Sequence, residues 1–448
     1  MGNVPKIPGH FIWGQFLALR KNSIPFVLRN AKQYGYVAEY RIFKKKFWFV
    51  GQADIIQHVL QENPEAYQKS KGYKILELIT GKGLFTAEGD RWKALRRLYG
   101  PSFSRKSLEG YFHTTVEVAR RRFNTWDIKE STLVNLTQEL NTMALEVAGE
   151  TLFSSDWITG SDELFIAIAE GLEFINVRAL RLPFSLPMWV PTPHHLKFKR
   201  HIKTIDRVVF NIIDSRQKSD RVRAQPDLLD RILENSAVLE NTRNVRQQIR
   251  DEVCTLFMAG HETTFLTLLW TIHNLALHPT VLEQCYAEID AAQLSDALHL
   301  SELEKLELLQ KVVLETLRLY PPVWHFGRVS LTTDRVGSTD IPKGSHLRLS
   351  PLLAHRNPAY WQNPEEFSPS RFDTEKLSAI PPGAYIPFGL GARLCIGKGF
   401  AHMELLTILT LFLQRFSISR IQTAHEIDSS LTVRMKKELH LIINTRIK

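Results

Sequence analysis

Chemistry is most concentrated in one stretch of this chain, Pro387-Phe388-Gly389-Leu390-Gly391-Ala392-Arg393-Leu394-Cys395-Ile396-Gly397-Lys398-Gly399. Beyond it, Ala401, Met403, Leu405, Leu406, Leu409, Phe412, Leu413 and Phe416 recur at the spacing of an amphipathic helix. Cys395 therefore sits where a loop becomes a helix N-terminus. Unpaired N–H groups and the positive end of the helix dipole favour thiolate over thiol there. Four glycines within eleven residues let the backbone turn sharply and approach a bulky group. A thiolate so presented is either a nucleophile or a metal ligand.

Three further sets carry candidate chemistry. Ala259-Gly260-His261-Glu262-Thr263-Thr264 interrupts a strongly apolar helical run. Glycine and β-branched hydroxyl residues form helix poorly, and a threonine that competes for the i−4 carbonyl predicts a local bulge. Glu262 beside Thr263 is a minimal set for relaying protons into a dry cavity. Helix packing through small residues, with Glu262 facing solvent, is the competing reading. Glu315 and Arg318 share a helix face among Val312, Val313, Leu314, Leu317 and Leu319, which points to burial. A buried pair needs further partners, and Arg371 is the expected third member. Trp92 and Arg96 place an indole N–H and a guanidinium four residues apart, two donors suited to a carboxylate.

These groups need elements to position them. Residues 4–14 read as an irregular lead-in and 16–35 as one helix. Residues 37–50 alternate around a Lys44-Lys45-Lys46 turn and predict a β-hairpin. A helix is expected over 53–61, followed by a long Lys- and Gly-rich segment over 64–89, a length that usually serves function. From 90 to about 235 the pattern is mostly helical, and its break at 182–195, with four prolines, reads as an apolar lid. The longest helical run, about 245–277, would extend roughly 50 Å. Residues 300–319 predict another helix stopped by Pro321-Pro322. Short strands over 323–350, a proline-punctuated meander over 360–387 and strands over 416–447 complete the chain. The expected fold class is mainly α with a minor β portion, in one domain over 1–448.

Charge and cysteine content narrow the function. The formal charge of +10 would suit nucleic acid, an anionic membrane or an acidic protein. Nucleic-acid motifs are missing. Cys254, Cys285 and Cys395 are far apart and odd in number, which argues against a disulfide framework or a zinc site and for a reducing, cytoplasmic compartment. No signal-peptide pattern opens the chain, and Lys6 stands where a myristoylation motif has Ser or Thr. The longest apolar stretches fall far short of the roughly 20 residues of a membrane span.

In this order and spacing the four sets resemble the cytochromes P450, the haem-thiolate monooxygenases. Residues 388–397 are similar to that family's cysteine-loop signature at every defining position, with Ala401 where alanine is frequent. Glu315, Arg318 and Arg371 resemble its buried triad, Ala259–Thr264 its oxygen-binding groove, and Trp92 and Arg96 its haem-propionate helix. The resemblance covers effectively the whole chain. It implies a haem b held between the long central helix and the cysteine-loop helix, with Cys395 as thiolate ligand and dioxygen as cosubstrate. A thiolate on iron favours O–O cleavage. The resemblance further implies that Trp92, Arg96, Arg328 and Arg393 meet the haem propionates and that Phe388 packs near the sulfur. Thr263 and Glu262 would deliver protons on the opposite face. Glu262 stands where many relatives carry the shorter Asp, and Ser370 precedes Arg371 where many carry another polar residue.

The implied reaction is hydroxylation or epoxidation of a lipophilic molecule, such as a fatty acid, a terpenoid or another secondary metabolite. Implied pocket residues are Tyr73, Ile75, Leu76, Phe174, Leu182, Phe257, Ala259, Val323, Trp324, Phe326 and Leu431, with Arg178 or Arg181 as anchors for a carboxylate. Flavin, nicotinamide and iron–sulfur fingerprints are missing, so electrons are expected from a separate ferredoxin or flavodoxin with its reductase. Lys93, Arg97, Arg105, Lys106 and Lys398 would steer that donor to a monomeric enzyme. Two alternatives remain: an isomerase or dehydratase that needs no reductant, and a non-catalytic haem sensor.

Overall fold

The computed structural model describes residues 4–128, 131–154, 161–181, 185–218, 227–234, 245–421, 424–429 and 431–446. Short helices α1 (Phe16–Lys21), α2 (Ser23–Tyr34), α3 (Ala53–Gln57) and α4 (Glu77–Thr80) open the chain. The helical body follows as α5 (Gly89–Tyr99), α6 (Arg105–Thr125), α7 (Leu136–Phe153), α8 (Ser161–Arg181), α9 (Pro193–Lys218), α10 (Leu228–Glu234), α11 (Val245–Leu277), α12 (Pro279–Ala291) and α13 (Glu307–Leu319). Helices α14 (Pro351–Ala354) and α15 (Thr374–Leu377) are single turns, and α16 (Lys398–Arg415) follows the cysteine loop.

Strands β1 (Val37–Ile42), β2 (Lys45–Val50), β3 (Tyr67–Lys69), β5 (Phe326–Ser330) and β8 (His346–Leu349) form one sheet in the order β1-β2-β8-β5-β3. β4 (Thr132–Asn135), β9 (Phe416–Ile418) and β12 (His440–Thr445) form a second, with β12 central. β6 (Asp334–Val336) pairs with β7 (Thr339–Ile341), and β10 (Ile427–Ser429) with β11 (Val433–Met435).

Three boundaries differ from the sequence expectation, each for a local reason. The helix expected over 16–35 breaks at Asn22, because Pro25 has no N–H for the carbonyl of Lys21 and is accommodated in the first turn of α2. The hairpin turn is Phe43-Lys44 rather than the three lysines, since Ile42 pairs with Lys45, and Phe43 takes φ 53°. The helix expected over 300–319 divides at Leu306. A 3₁₀ turn over Leu300–Lys305 gives way to α13, whose first N–H groups, at Leu308 and Leu309, are capped by Glu288 of α12.

Helix α11 is buried on nearly every side and has no polar face turned to solvent beyond its first turn, although it carries buried Arg250, Asp251 and Glu252. Its N-terminal half, including Ile249, Val253, Leu256 and Phe257, joins a core built with α5, α7, α8, α9 and α10. Its C-terminal half, from Phe265 to Ala276, joins another built with α6, α7, α12, α13 and α16. Between the two cores burial lapses: Met258, Gly260 and Thr263 are half-buried and Ala259 is exposed. The hexapeptide singled out by its composition is therefore the seam between two cores. Among the described residues no single helix is long and apolar enough to cross a membrane.

Candidate active site

The cysteine loop owes its shape to two glycines. Gly389 and Gly391 take φ of 79° and 70°, and a Cβ at Gly391 would stand 2.0 Å from the carbonyl oxygen of Leu60. Between them and α16, the Cys395 N–H donates to Phe388 O at 2.9 Å and the Leu394 N–H to Gly391 O at 3.0 Å. Gly397 is the N-cap of α16. Cys395 keeps solvent-accessible surface although protein surrounds it on all sides, the signature of a residue lining an internal cavity. Burial pushes its thiol above the ordinary range, opposed by the Gly397 N–H and by Arg96. The expectation that the helix terminus alone would favour thiolate is thus reversed, because desolvation outweighs it. An electrophilic partner at sulfur is needed to hold the anion.

Beside this loop four cations converge. Arg393 lies 4.3 Å over the Trp92 ring, donates to Ala87 O at 3.1 Å and stands 3.4 Å from Glu88. Lys69 donates to Phe85 O and Ala87 O at 2.5 and 3.1 Å, with Glu88 at 4.0 Å. Arg328 faces Lys69 as its register partner across β3 and β5, and Arg96 approaches from α5 near enough to act on Cys395. Burial pulls Lys69 down to about 7, helped by Arg393 and Arg328 and opposed by Glu88. Burial likewise lowers Arg96 and Arg393. Glu88 lies within 4.0 Å of Lys69 and Arg393, and Glu65 acts on Arg393 from farther off, so the four cations keep spare positive charge for a group bearing two carboxylates. Together with a cavity-lining thiol, it fits a haem with its propionates. Lys69 was not anticipated, because only the β3–β5 pairing brings it to the arginines.

On α11, Thr263 Oγ1 donates to Ala259 O at 2.8 Å and Thr264 Oγ1 to Gly260 O at 3.0 Å, yet the helix runs unbroken. The expected bulge is not formed; the hydroxyls share the i−4 carbonyls without opening the ladder. Glu262 is buried and points to the C-terminal hairpin. Its Oε1 accepts from Thr432 Oγ1 at 2.8 Å, from Arg434 Nε at 2.9 Å and from Arg434 Nη2. The solvent-facing reading of Glu262 is therefore excluded. His261 packs between Phe257 and Phe265 and meets Asn141 at 3.0 Å, while burial pulls it down to about 4. Beside Thr264 lies Glu404 of α16, fully buried and without a hydrogen-bond partner of good geometry. Burial pushes its carboxyl well above the usual range.

Glu315, Arg318 and Arg371 are brought together. Arg318 donates to Glu315 through Nε and Nη2 at 2.6 and 2.8 Å, and both side chains are fully buried. The remaining donors of Arg318 reach the carbonyls of His355, Pro364 and Glu366. Arg371 Nε stands 3.3 Å from Glu315 Oε1, which also accepts from the Ser368 N–H.

The substrate-wall expectations divide. Ile75, Leu76, Phe174 and Leu431 are partly buried against the same core as Trp92 and Ile396. Ala259 and Val323 keep accessible surface, and Tyr73 is half-buried against Phe85. Two aromatic residues are corrected. Phe257 is 1% exposed inside a core, and Trp324, at 3%, belongs to the core around α2, β1 and Leu352. Phe326 is half-buried against the β-sheet core, with its ring edge near Gly389. Arg178 is engaged with Leu186 O and His195, which removes it as a free anchor. Leu182 and the Arg181 side chain lie outside the described residues. Cys254 and Cys285 are buried, their thiols pushed up to about 12.

The comparisons with known proteins agree with this geometry. The family model for Cytochrome P450 matches residues 5–443. The chain is 30% identical to cytochrome P450 97B2, chloroplastic, of Glycine max, covering 88% of this chain and 78% of that one. It is 26% identical to cyclooctat-9-en-7-ol 5-monooxygenase of Streptomyces melanosporofaciens, covering 93% and 88%. A crystal structure of a cytochrome P450DA heme domain superposes with a TM-score of 0.87 at 25% identity, covering 99% and 98%. The chain belongs to the cytochrome P450 family. With that membership come monooxygenase activity, a cysteine-ligated haem and the use of dioxygen.

Proposed function

We propose that Cys395 is the haem ligand and that this enzyme inserts one oxygen atom into a lipophilic small molecule, with electrons from a separate ferredoxin or flavodoxin. A cavity-lining thiol beside a surplus of partly buried cations carries the reading. Lys69, Arg96, Arg328 and Arg393 would hold the propionates, and Cys395 the iron. Bound there, the haem supplies the oxygen-activating chemistry. The chain's own groups do the rest. The loop N–H of Gly397 stabilises negative charge on the sulfur. Leu76, Phe174, Val323 and Leu431 favour an apolar substrate and exclude water. Thr263 and Glu262 conduct protons from the α11 seam.

Exposed Lys93, Arg97, Arg105, Lys106 and Lys398 support an acidic donor docking near the start of α16. There a groove of about 530 Å³, lined in part by Arg105, Phe112, His299, Gly399 and Met403, opens at the surface. One relative is a cyclooctat-9-en-7-ol 5-monooxygenase, and a terpenoid is the first substrate class to screen. The test is turnover of a lipophile panel with a surrogate ferredoxin and reductase under isotopic dioxygen. One labelled oxygen per product, dependent on reductant, is expected. Product formed without any electron donor would instead establish an isomerase or dehydratase.

A further inference from the structure

The contacts of Glu262 go beyond its place next to Thr263. All three of its hydrogen bonds fall on Oε1, and among the described residues none is formed to Oε2. The donors, Thr432 and Arg434, belong to the hairpin of β10 and β11, which also carries Leu431 at its turn. That hairpin is fixed to α11 itself: the Trp270 indole donates to Val433 O at 3.0 Å, and the Val433 N–H donates to Pro322 O at 3.0 Å. The backbone beside Arg434 is therefore anchored to the helix that bears Glu262, which leaves the guanidinium little freedom. Glu173 of α8 and Asp428 of β10 also act on the same guanidinium through their charge.

We propose that Arg434 is the positioning residue for Glu262. By clamping Oε1 against the hairpin it fixes the carboxylate's rotamer and leaves Oε2 as the atom that takes up and passes on a proton. Thr263 cannot serve this purpose unaided, since its own proton is held by Ala259 O. The clamp also ties proton delivery to the hairpin whose turn carries Leu431. This inference rests on the monooxygenase reading, and its test separates the two.

Full-length, haem-loaded Arg434→Gln and Arg434→Lys are compared with the parent chain. Arg434→Gln is expected to keep the thiolate absorption of the carbon-monoxide complex and the substrate-induced spectral shift. With a surrogate ferredoxin and reductase, its product per electron should fall roughly tenfold, the missing electrons appearing as hydrogen peroxide. Product formed when hydrogen peroxide replaces dioxygen and electrons should stay within about twofold of the parent, because that route bypasses proton delivery. Arg434→Lys, which keeps a charged donor, should recover most of the coupling. Deuterium exchange over 260–264 and 431–435 should rise together in Arg434→Gln. Parental coupling in Arg434→Gln, or an equal loss of peroxide-driven product, overturns the proposal. If the parent itself makes no reductant-dependent product, the proposed activity fails. In that case exchange decides the clamp: a joint rise upholds it and unchanged exchange overturns it.

Discussion

Glu315–Arg318 and Glu262–Arg434 are one chemical pair in two settings. In the first, both side chains are fully buried, and the guanidinium serves a bidentate carboxylate plus three backbone carbonyls. In the second, the carboxylate is used through one oxygen and the arginine side chain is 31% exposed. A pair with every valence filled has no atom left for chemistry; it joins α13 to the meander that leads into the cysteine loop. The half-used pair at the seam of α11 retains a carboxylate oxygen with no donor among the described residues, and proton transfer is assigned to that oxygen.

The largest effect that would break this contrast lies in the saturated pair. Arg318→Ala leaves a buried carboxylate without its partner and should cost roughly 3–5 kcal/mol. Thermal unfolding together with haem content should show a chain that barely retains cofactor. Glu262→Gln is expected to do the reverse, leaving the unfolding temperature within a few degrees while product per electron falls about 100-fold. Equal stability losses at the two sites would erase the distinction.

A finer test concerns Lys69. In the chain alone it is pulled down to about 7, so below that pH it is already charged and ready for a carboxylate. Above it, binding must take up a proton. Haem retention, followed by transfer to a scavenger protein, should therefore weaken as pH rises above 7, by at most tenfold per unit. Lys69→Met should retain haem less well and lose this dependence. The smallest effect is expected at Glu404, whose carboxyl is raised in the fold above its unfolded value. That group contributes stability which is fully present below its unfolded pKa and is lost as pH rises. Wild type should therefore become less stable as pH rises above the ordinary carboxylate range of about 4–5. Glu404→Gln should remove that slope, read as unfolding temperature against pH.

Much of this arrangement was legible in the sequence where the signal is local. The span of α11, about 245–277, follows from a long helical run without proline, and the cysteine loop from glycine spacing before a periodic run. Glu315 and Arg318 announced burial through their apolar neighbours. What stayed hidden depends on pairing between distant segments. Lys69 reaches Arg328 through the β3–β5 register, and Arg434 reaches Glu262 because a late hairpin returns to α11. Facing was equally hidden: Phe257 and Trp324 have the composition of a pocket wall and the burial of a core. The helix terminus at Cys395 was visible, but the depth that reverses its effect on the thiol was not.

The central claim is that Cys395 supplies the thiolate to the haem. Its most direct test is the absorption spectrum of the reduced carbon-monoxide complex in the parent chain and in Cys395→His. The account predicts a red-shifted thiolate band in the parent and its loss in a variant that still binds haem through imidazole. A variant that keeps the red-shifted band, or a haem-loaded parent that never shows it, would contradict the account.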